Sequence, residues 1–209
     1  MNKHNQNPEI GECNCRYRMS ATGGIATKLI KVIKGNLDTG EKVKELKEII
    51  QNKGFIIVCK NIEKGTVTGV FKTLRKTDEE YNDNLNGAKA LNRNGYDVYM
   101  LPKLRDVKCF DYILAKDNKV HAAELKTIYG KNSLDNRLYA ANEQTDRFVL
   151  NIVGNATSRF IADEIKNFYL NNPHVKEIIV LKAGKQIGIT YDEVRKKIFI
   201  QTFMDKWAR

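Results

Sequence analysis

Apolar positions recur along this chain with two different periods, and the switches between them mark its elements. From Thr39 to Asn52, Val43, Leu46, Ile49 and Ile50 return at helical spacing. A shorter helical stretch, Ile25 to Lys34, stops at Gly35, and residues 1–22 are polar enough to predict a poorly ordered lead-in. Phe55 to Cys59 is a continuous apolar run that predicts a buried strand, and Thr66 to Leu74 predicts a second, more polar one. At Thr77 the pattern returns to helix. Thr77-Asp78-Glu79-Glu80 fits a capping box, and the helix is expected to pass through Leu85, Ala88 and Leu91 and stop at Asn94-Gly95.

Strand and helix signals then follow in close order. Tyr96 to Leu101 predicts a strand closed by Pro102. Phe110 to Leu114 and Val120 to Lys126 predict two strands of a hairpin around a polar break at Asp117-Asn118. Leu134 to Gln144 reads as a helix, Arg147 to Ile152 as a buried strand, Ser158 to Leu170 as a helix and Lys176 to Leu181 as a strand. Gly184-Lys185 signals a further hairpin before an amphipathic end. From residue 77 the order is α-β-β-β-α-β-α-β, which predicts an α/β core with a mixed sheet. Two regions are expected: a small basic α+β N-terminal region over 1–76, and an α/β domain over 77–209.

The hairpin carries the chemistry. A turn centred between residues 117 and 118 pairs positions whose numbers sum to 235, and Asp111 and Glu124 are such a pair. Directly opposed side chains start about 4.5–5.5 Å apart at Cβ, and two carboxylates that close repel unless a proton or cation lies between them. A hard divalent cation with oxygen ligands suits the pair. Alternation along the strand puts Lys126 on the same side as Glu124 and sends Ala123 and Leu125 to the other. There the ammonium can orient a water or meet charge developing on a phosphoryl group. His121 falls on the face opposite Glu124 and reads as structural. Because Glu-x-Lys arises easily in a Lys- and Glu-rich chain, a plain solvated face is the competing reading.

Composition narrows the partners. The 209 residues carry a formal charge of +11, which favours a polyanion, nucleic acid first. Residues 1–76 hold fifteen Lys/Arg against seven Asp/Glu, and residues 77–209 hold twenty-one against eighteen. Most of the excess therefore lies outside the hairpin's region, either as a lobe that grips phosphates or as a solvated lysine-rich surface. Cys13, Cys15, Cys59 and Cys109 form no disulfide framework at this length and read as reduced or buried thiols. The first ten residues are polar and no apolar run approaches the length of a membrane span, so a soluble protein acting in a cytoplasm is expected.

The order of elements, with the acidic pair on the second and third core strands, resembles the PD-(D/E)xK nuclease superfamily. More narrowly, residues from about 77 to 185 look like the C-terminal tRNase domains of contact-dependent growth-inhibition toxins. The resemblance is carried by Asn94-Gly95-Tyr96-Asp97-Val98, Leu101-Pro102, Phe110-Asp111-Tyr112-Ile113, Glu124-Leu125-Lys126, and Ala141-Asn142-Glu143-Gln144 running into Arg147 to Ile152. It implies a restriction-endonuclease-like core, a mixed sheet flanked by helices. It also implies that Asp111 and Glu124 hold Mg²⁺ or Mn²⁺ and that Lys126 positions the nucleophile. Members usually add an acidic residue from the first core helix; here the matching turn offers Asp83, with Glu80 one turn earlier. Gln144 matches a glutamine common in these nucleases, and Lys131 and Arg137, close after Lys126, are candidates for phosphate contacts. The implied activity is cleavage of RNA, tRNA in particular, by a toxin delivered from another cell and held by a cognate immunity protein. A DNA endonuclease of the same superfamily, and a nucleic-acid-binding protein with an inactive core, are the alternatives.

Overall fold

The computed structural model describes residues 55–71, 80–101, 110–117, 119–130 and 145–209, together with Lys44, Glu48, Leu74, Lys76, Leu134 and Leu138. It is a mixed α/β fold built on one eight-stranded sheet whose strands lie side by side in sequence order. The strands are β1 (Phe55–Asn61), β2 (Thr66–Phe71), β3 (Asp97–Met100), β4 (Tyr112–Lys116), β5 (Lys119–Ile128), β6 (Arg147–Ile152), β7 (Glu177–Lys182) and β8 (Lys185–Thr190). The helices are α1 (Tyr81–Arg93), α2 (Ser158–Asn171), the single turn α3 (Tyr191–Val194) and α4 (Phe199–Ala208). Leu134 and Leu138 are also helical and buried, inside the stretch expected to be a helix over Leu134 to Gln144.

Hairpins make the antiparallel pairs β1/β2, β4/β5 and β7/β8, and β3 also runs antiparallel to β4. The pairs β2/β3, β5/β6 and β6/β7 are parallel; α1 lies in the first crossover and α2 in the last. One face of β2 to β7 packs on α1 through Val70, Ala88, Leu91, Val98, Tyr112, Leu125 and their neighbours. The opposite face holds two separate apolar clusters. One, around Phe55, Tyr99, Ile113 and Val120, lies toward β1, and the other packs α2 and α4 onto β6 to β8.

The end of α1 explains how the N-terminal strands join this sheet. Gly95, at φ 88, lets the chain turn out of the helix, and its N–H and that of Tyr96 donate back to the carbonyls of Asn92 and Leu91 at 3.0 and 3.3 Å. Buried Asn92 donates to Thr66 Oγ1, and Thr66 donates to the Asn92 carbonyl, both at 3.0 Å. Asp97 accepts from the Val67 N–H at 2.8 Å. β1 and β2, which precede the expected boundary at residue 76, are thus members of the same sheet as the core strands.

Several expectations are corrected. Phe55 to Cys59, expected to be buried, is the outer strand of the described sheet, and Ile56 is 53% exposed. β2, expected to be the more polar of the two, is the more buried, because it lies between β1 and β3. β2 ends at Phe71, short of Leu74. The described helix α1 opens at Tyr81 with Glu80 as its N-cap, not at a Thr77 cap; Thr77 to Glu79 lie outside the described residues. The last hairpin turns on Ala183 and Gly184, both at positive φ, one residue before the expected Gly184-Lys185, because a two-residue loop of this type needs both positions left-handed. The helices expected over Ile25 to Lys34 and Thr39 to Asn52 fall outside the described residues, apart from Lys44 and Glu48, which are helical and exposed. The thiols Cys13, Cys15 and Cys109 fall outside them too, whereas Cys59 is free and partly buried.

Candidate active site at a fork in the sheet

β5 changes partners halfway along. Lys119 to Ala123 pair with β4, and Glu124 to Ile128 pair with β6. The β4/β5 pairs run Lys116 with Lys119, Leu114 with His121 and Tyr112 with Ala123, so their numbers sum to 235 and the same register sets Asp111 against Glu124. β4 starts only at Tyr112, however, with Asp111 in a bend just before it. The sheet therefore forks between β4 and β5 where the two acidic residues meet.

The side chains of β5 mark the same place. On its even-numbered side run Val120, Ala122, Glu124, Lys126 and Ile128. Val120 belongs to the apolar cluster near β1 and Ile128 to the cluster under α2. Glu124 and Lys126 fall in the gap between the two. On the other side Ala123 and Leu125 pack toward α1.

Asp111 is clamped by both oxygens. Oδ2 accepts from the Leu125 N–H at 2.9 Å, a donor on the part of β5 that β4 no longer pairs, and Oδ1 accepts from Asn84 Nδ2 on α1 at 3.1 Å. Asn84 is itself held, because the Tyr112 hydroxyl donates to its carbonyl. Lys126 Nζ donates to Glu124 Oε1 at 2.7 Å. Glu124 is only 6% exposed. Burial first, then the Asp111 charge, push its pKa up to about 7, against the pull of Lys126. Burial also raises the pKa of Asp111, opposed by the Leu125 hydrogen bond and the Lys126 charge. Glu80, at the start of α1, adds negative charge that raises both.

Burial and their mutual repulsion push the two carboxylates toward neutrality, and a positive charge placed between them would oppose both effects. Their oxygens suit a hard divalent cation, which for Mg²⁺ commonly means one or two carboxylates with water and substrate phosphate completing the shell. Asp111 and Glu124 fit that sparse arrangement. Among the described residues no group of three or more His, Cys, Asp or Glu side chains is placed to hold a metal ion.

Asp83 is not gathered here in the same way. Asp83 accepts from the Tyr129 hydroxyl at 2.6 and 2.7 Å on its two oxygens, and it is its neighbour Asn84 that reaches Asp111. Gln144, Lys131 and Arg137 lie outside the described residues. The sequence did carry a signal for Asn84. Counting back from Leu91 and Ala88, which pack on the sheet, the helical stripe i, i+4, i+7 passes through Asn84 and leaves Asp83 on its flank.

No protein-family profile matches this chain, and no curated protein is significantly similar to it. Among solved structures it is similar to the CdiA-CT/CdiI toxin and immunity complex from Burkholderia pseudomallei. The likeness is at 20% identity over 57% of this chain and 90% of that one, with a TM-score of 0.41. At that level the chemistry has to be argued from the site itself. Among the described residues no helix is long and apolar enough to cross a membrane.

Proposed function

We propose that this protein is a metal-dependent nuclease that hydrolyses phosphodiester bonds of RNA. The observation that carries the reading is the fork itself: Asp111 and Glu124 brought together with an ammonium on Glu124 in a gap between two apolar clusters. Nucleic acid as substrate is supported by the charge of +11. A divalent ion held by Asp111 and Glu124 would supply Lewis acidity toward the scissile phosphate. The chain's own part is orientation. Leu125 N–H and Asn84 fix the direction of Asp111, and Lys126 holds one oxygen of Glu124. An ammonium has three donors, so beyond Glu124 it can hold an attacking water or a phosphoryl oxygen. In hydrolysis the water oxygen bonds to phosphorus and gives up a proton to solvent, the bond to the leaving oxygen breaks, and that oxygen takes up a proton in turn.

The finer assignment, a tRNA-cleaving toxin module with an immunity protein as partner, rests on the sequence resemblance of residues 77 to 185. Incubating the purified chain with total RNA and with plasmid DNA, with Mg²⁺ or with EDTA, tests both levels. RNA cleavage that EDTA stops, and that Asp111→Ala and Lys126→Ala each abolish while keeping the wild-type melting curve, is the expected result. Cleavage unchanged in both variants would overturn the site. Plasmid cleavage without RNA cleavage would transfer the substrate to DNA, and tRNA as the main cleaved species would carry the finer assignment.

A further inference from the structure

Three residues beyond Lys126, roughly 10 Å along an extended strand, β5 ends and an exposed aromatic ring stands beside the fork. Tyr129 is 54% exposed and its neighbour Val153, at the end of β6, is 58% exposed. The ring is nevertheless fixed from both ends. Its hydroxyl donates to the two oxygens of Asp83, in the first turn of α1 and 46 positions away. Its backbone is gripped by the chain leaving β6. The N–H groups of Val153 and Gly154 both donate to the Ile128 carbonyl, at 3.0 and 3.1 Å. A Cβ at Gly154 would sit 1.9 Å from the Tyr129 carbonyl oxygen, so only glycine permits this approach.

Ordering an exposed side chain costs rotamer entropy, and a ring held open to solvent beside a site that binds a polymer has one evident use. We propose that Tyr129 is a stacking platform for an unpaired nucleobase and that Asp83 is the residue that positions it. This rests on the nuclease reading of the fork and adds the substrate class: a single strand, or an unpaired segment of a folded RNA. Bases in a duplex are stacked on one another and offer no free face, whereas splayed bases stack on aromatic side chains irrespective of sequence.

Binding measured apart from cleavage tests this. Anisotropy of a labelled oligonucleotide, as a single strand and in a duplex of the same sequence, is read with the full chain in EDTA, with thermal melts as the control for folding. Tyr129→Ala is expected to weaken single-strand binding about ten-fold, within the range one aromatic stack supplies, and to leave duplex binding unchanged. Tyr129→Phe keeps the ring and stays near wild type. Asp83→Ala loses part of the affinity, and Asp83→Asn, whose amide oxygen still accepts from the hydroxyl, restores it. Equal single-strand affinity in wild type and Tyr129→Ala, or an equal loss on both polymers, overturns the platform, as does the absence of binding to either. Loss of Mg²⁺-dependent cleavage in Asp83→Asn with binding intact would make Asp83 a metal ligand and overturn its positioning role. If no variant or wild type cleaves while the single-strand preference follows Tyr129, the platform stands and the nuclease reading falls.

Discussion

At the scale of single residues, Glu124 shows how the fork sets stability against chemistry. Its carboxyl has a pKa of about 7 in the folded protein against an ordinary value of 4.5, so the native state binds its proton more tightly than the unfolded chain does. Between those two values the native protein holds the extra proton, and its stability therefore falls as pH rises through that window; Asp111, also raised, acts in the same direction. Glu124→Gln removes the charge and keeps an oxygen for Lys126. In EDTA at pH 8 it should melt above wild type, and the gap should close toward pH 5, while cleavage is lost. A variant that melts below wild type at pH 8 would show that the buried charge is not under strain. A divalent ion relieves the same repulsion, so millimolar Mg²⁺ should raise the wild-type melting temperature, as any ligand selective for the native state does. It should leave Asp111→Asn unmoved, and an equal rise in both proteins would place the ion elsewhere.

This core of the site was legible in the sequence because it depends on short-range rules. Strand alternation and a two-residue turn suffice to set Asp111 against Glu124 and to put Lys126 beside it. What those rules could not supply was the third element. Whether Asp83 or Asn84 meets Asp111 is decided by the rotation of α1 on the sheet, a packing outcome between elements far apart in sequence.

At the scale of elements, that rotation is fixed at Gly87. A Cβ there would lie 2.8 Å from the Tyr112 hydroxyl and 3.0 Å from Leu125 Cδ1, so the missing side chain lets α1 settle close enough for Tyr112 to reach the Asn84 carbonyl and for Asn84 to reach Asp111. Gly87→Ala gains helix propensity, worth up to about 1 kcal/mol, but must displace the Tyr112 hydroxyl or α1 itself, and overpacking typically costs about 1–3 kcal/mol. The expected net result is a less stable protein whose activity falls further than its stability, since Asn84 moves off Asp111. Tyr112→Phe removes the oxygen in closest conflict, and the double variant should recover part of the lost stability; residues in contact are expected to be non-additive in this way. Urea denaturation of the two single variants and the double variant measures it. Strict additivity would show that the hydroxyl and the glycine do not share the interface.

The strands teach a complementary lesson. Arg147 to Ile152 and the hairpin strands were placed within a residue or two because their apolar pattern is set by burial on both faces. β1 misleads for the opposite reason. Ile56, Ile57 and Val58 form as apolar a run as any in the chain, yet all three are exposed. A strand's neighbours, not its composition, decide how much of it is covered, and those neighbours come from pairings that a local pattern does not contain.

At the scale of the whole molecule, the charge and the fork make different contributions that salt can separate. The excess of +8 over residues 1–76 compares with +3 over residues 77–209, from fifteen Lys/Arg against seven Asp/Glu and twenty-one against eighteen. β1 and β2 carry part of the first region, with Lys60 and Lys64, into the same sheet as the fork. Binding through phosphates releases counterions, and the logarithm of affinity falls with the logarithm of salt by about 0.7 per phosphate for a single strand. Stacking on an aromatic ring releases none. Raising salt from 50 to 200 mM should therefore weaken single-strand and duplex binding steeply, whereas Tyr129→Ala should shift the single-strand line downward without changing its slope. Lys126→Ala should reduce the slope by no more than one phosphate's worth. A slope near zero for wild type would remove charge as the basis of binding, and a slope that collapses in Lys126→Ala alone would place the whole electrostatic contribution at the fork instead of across the basic surface.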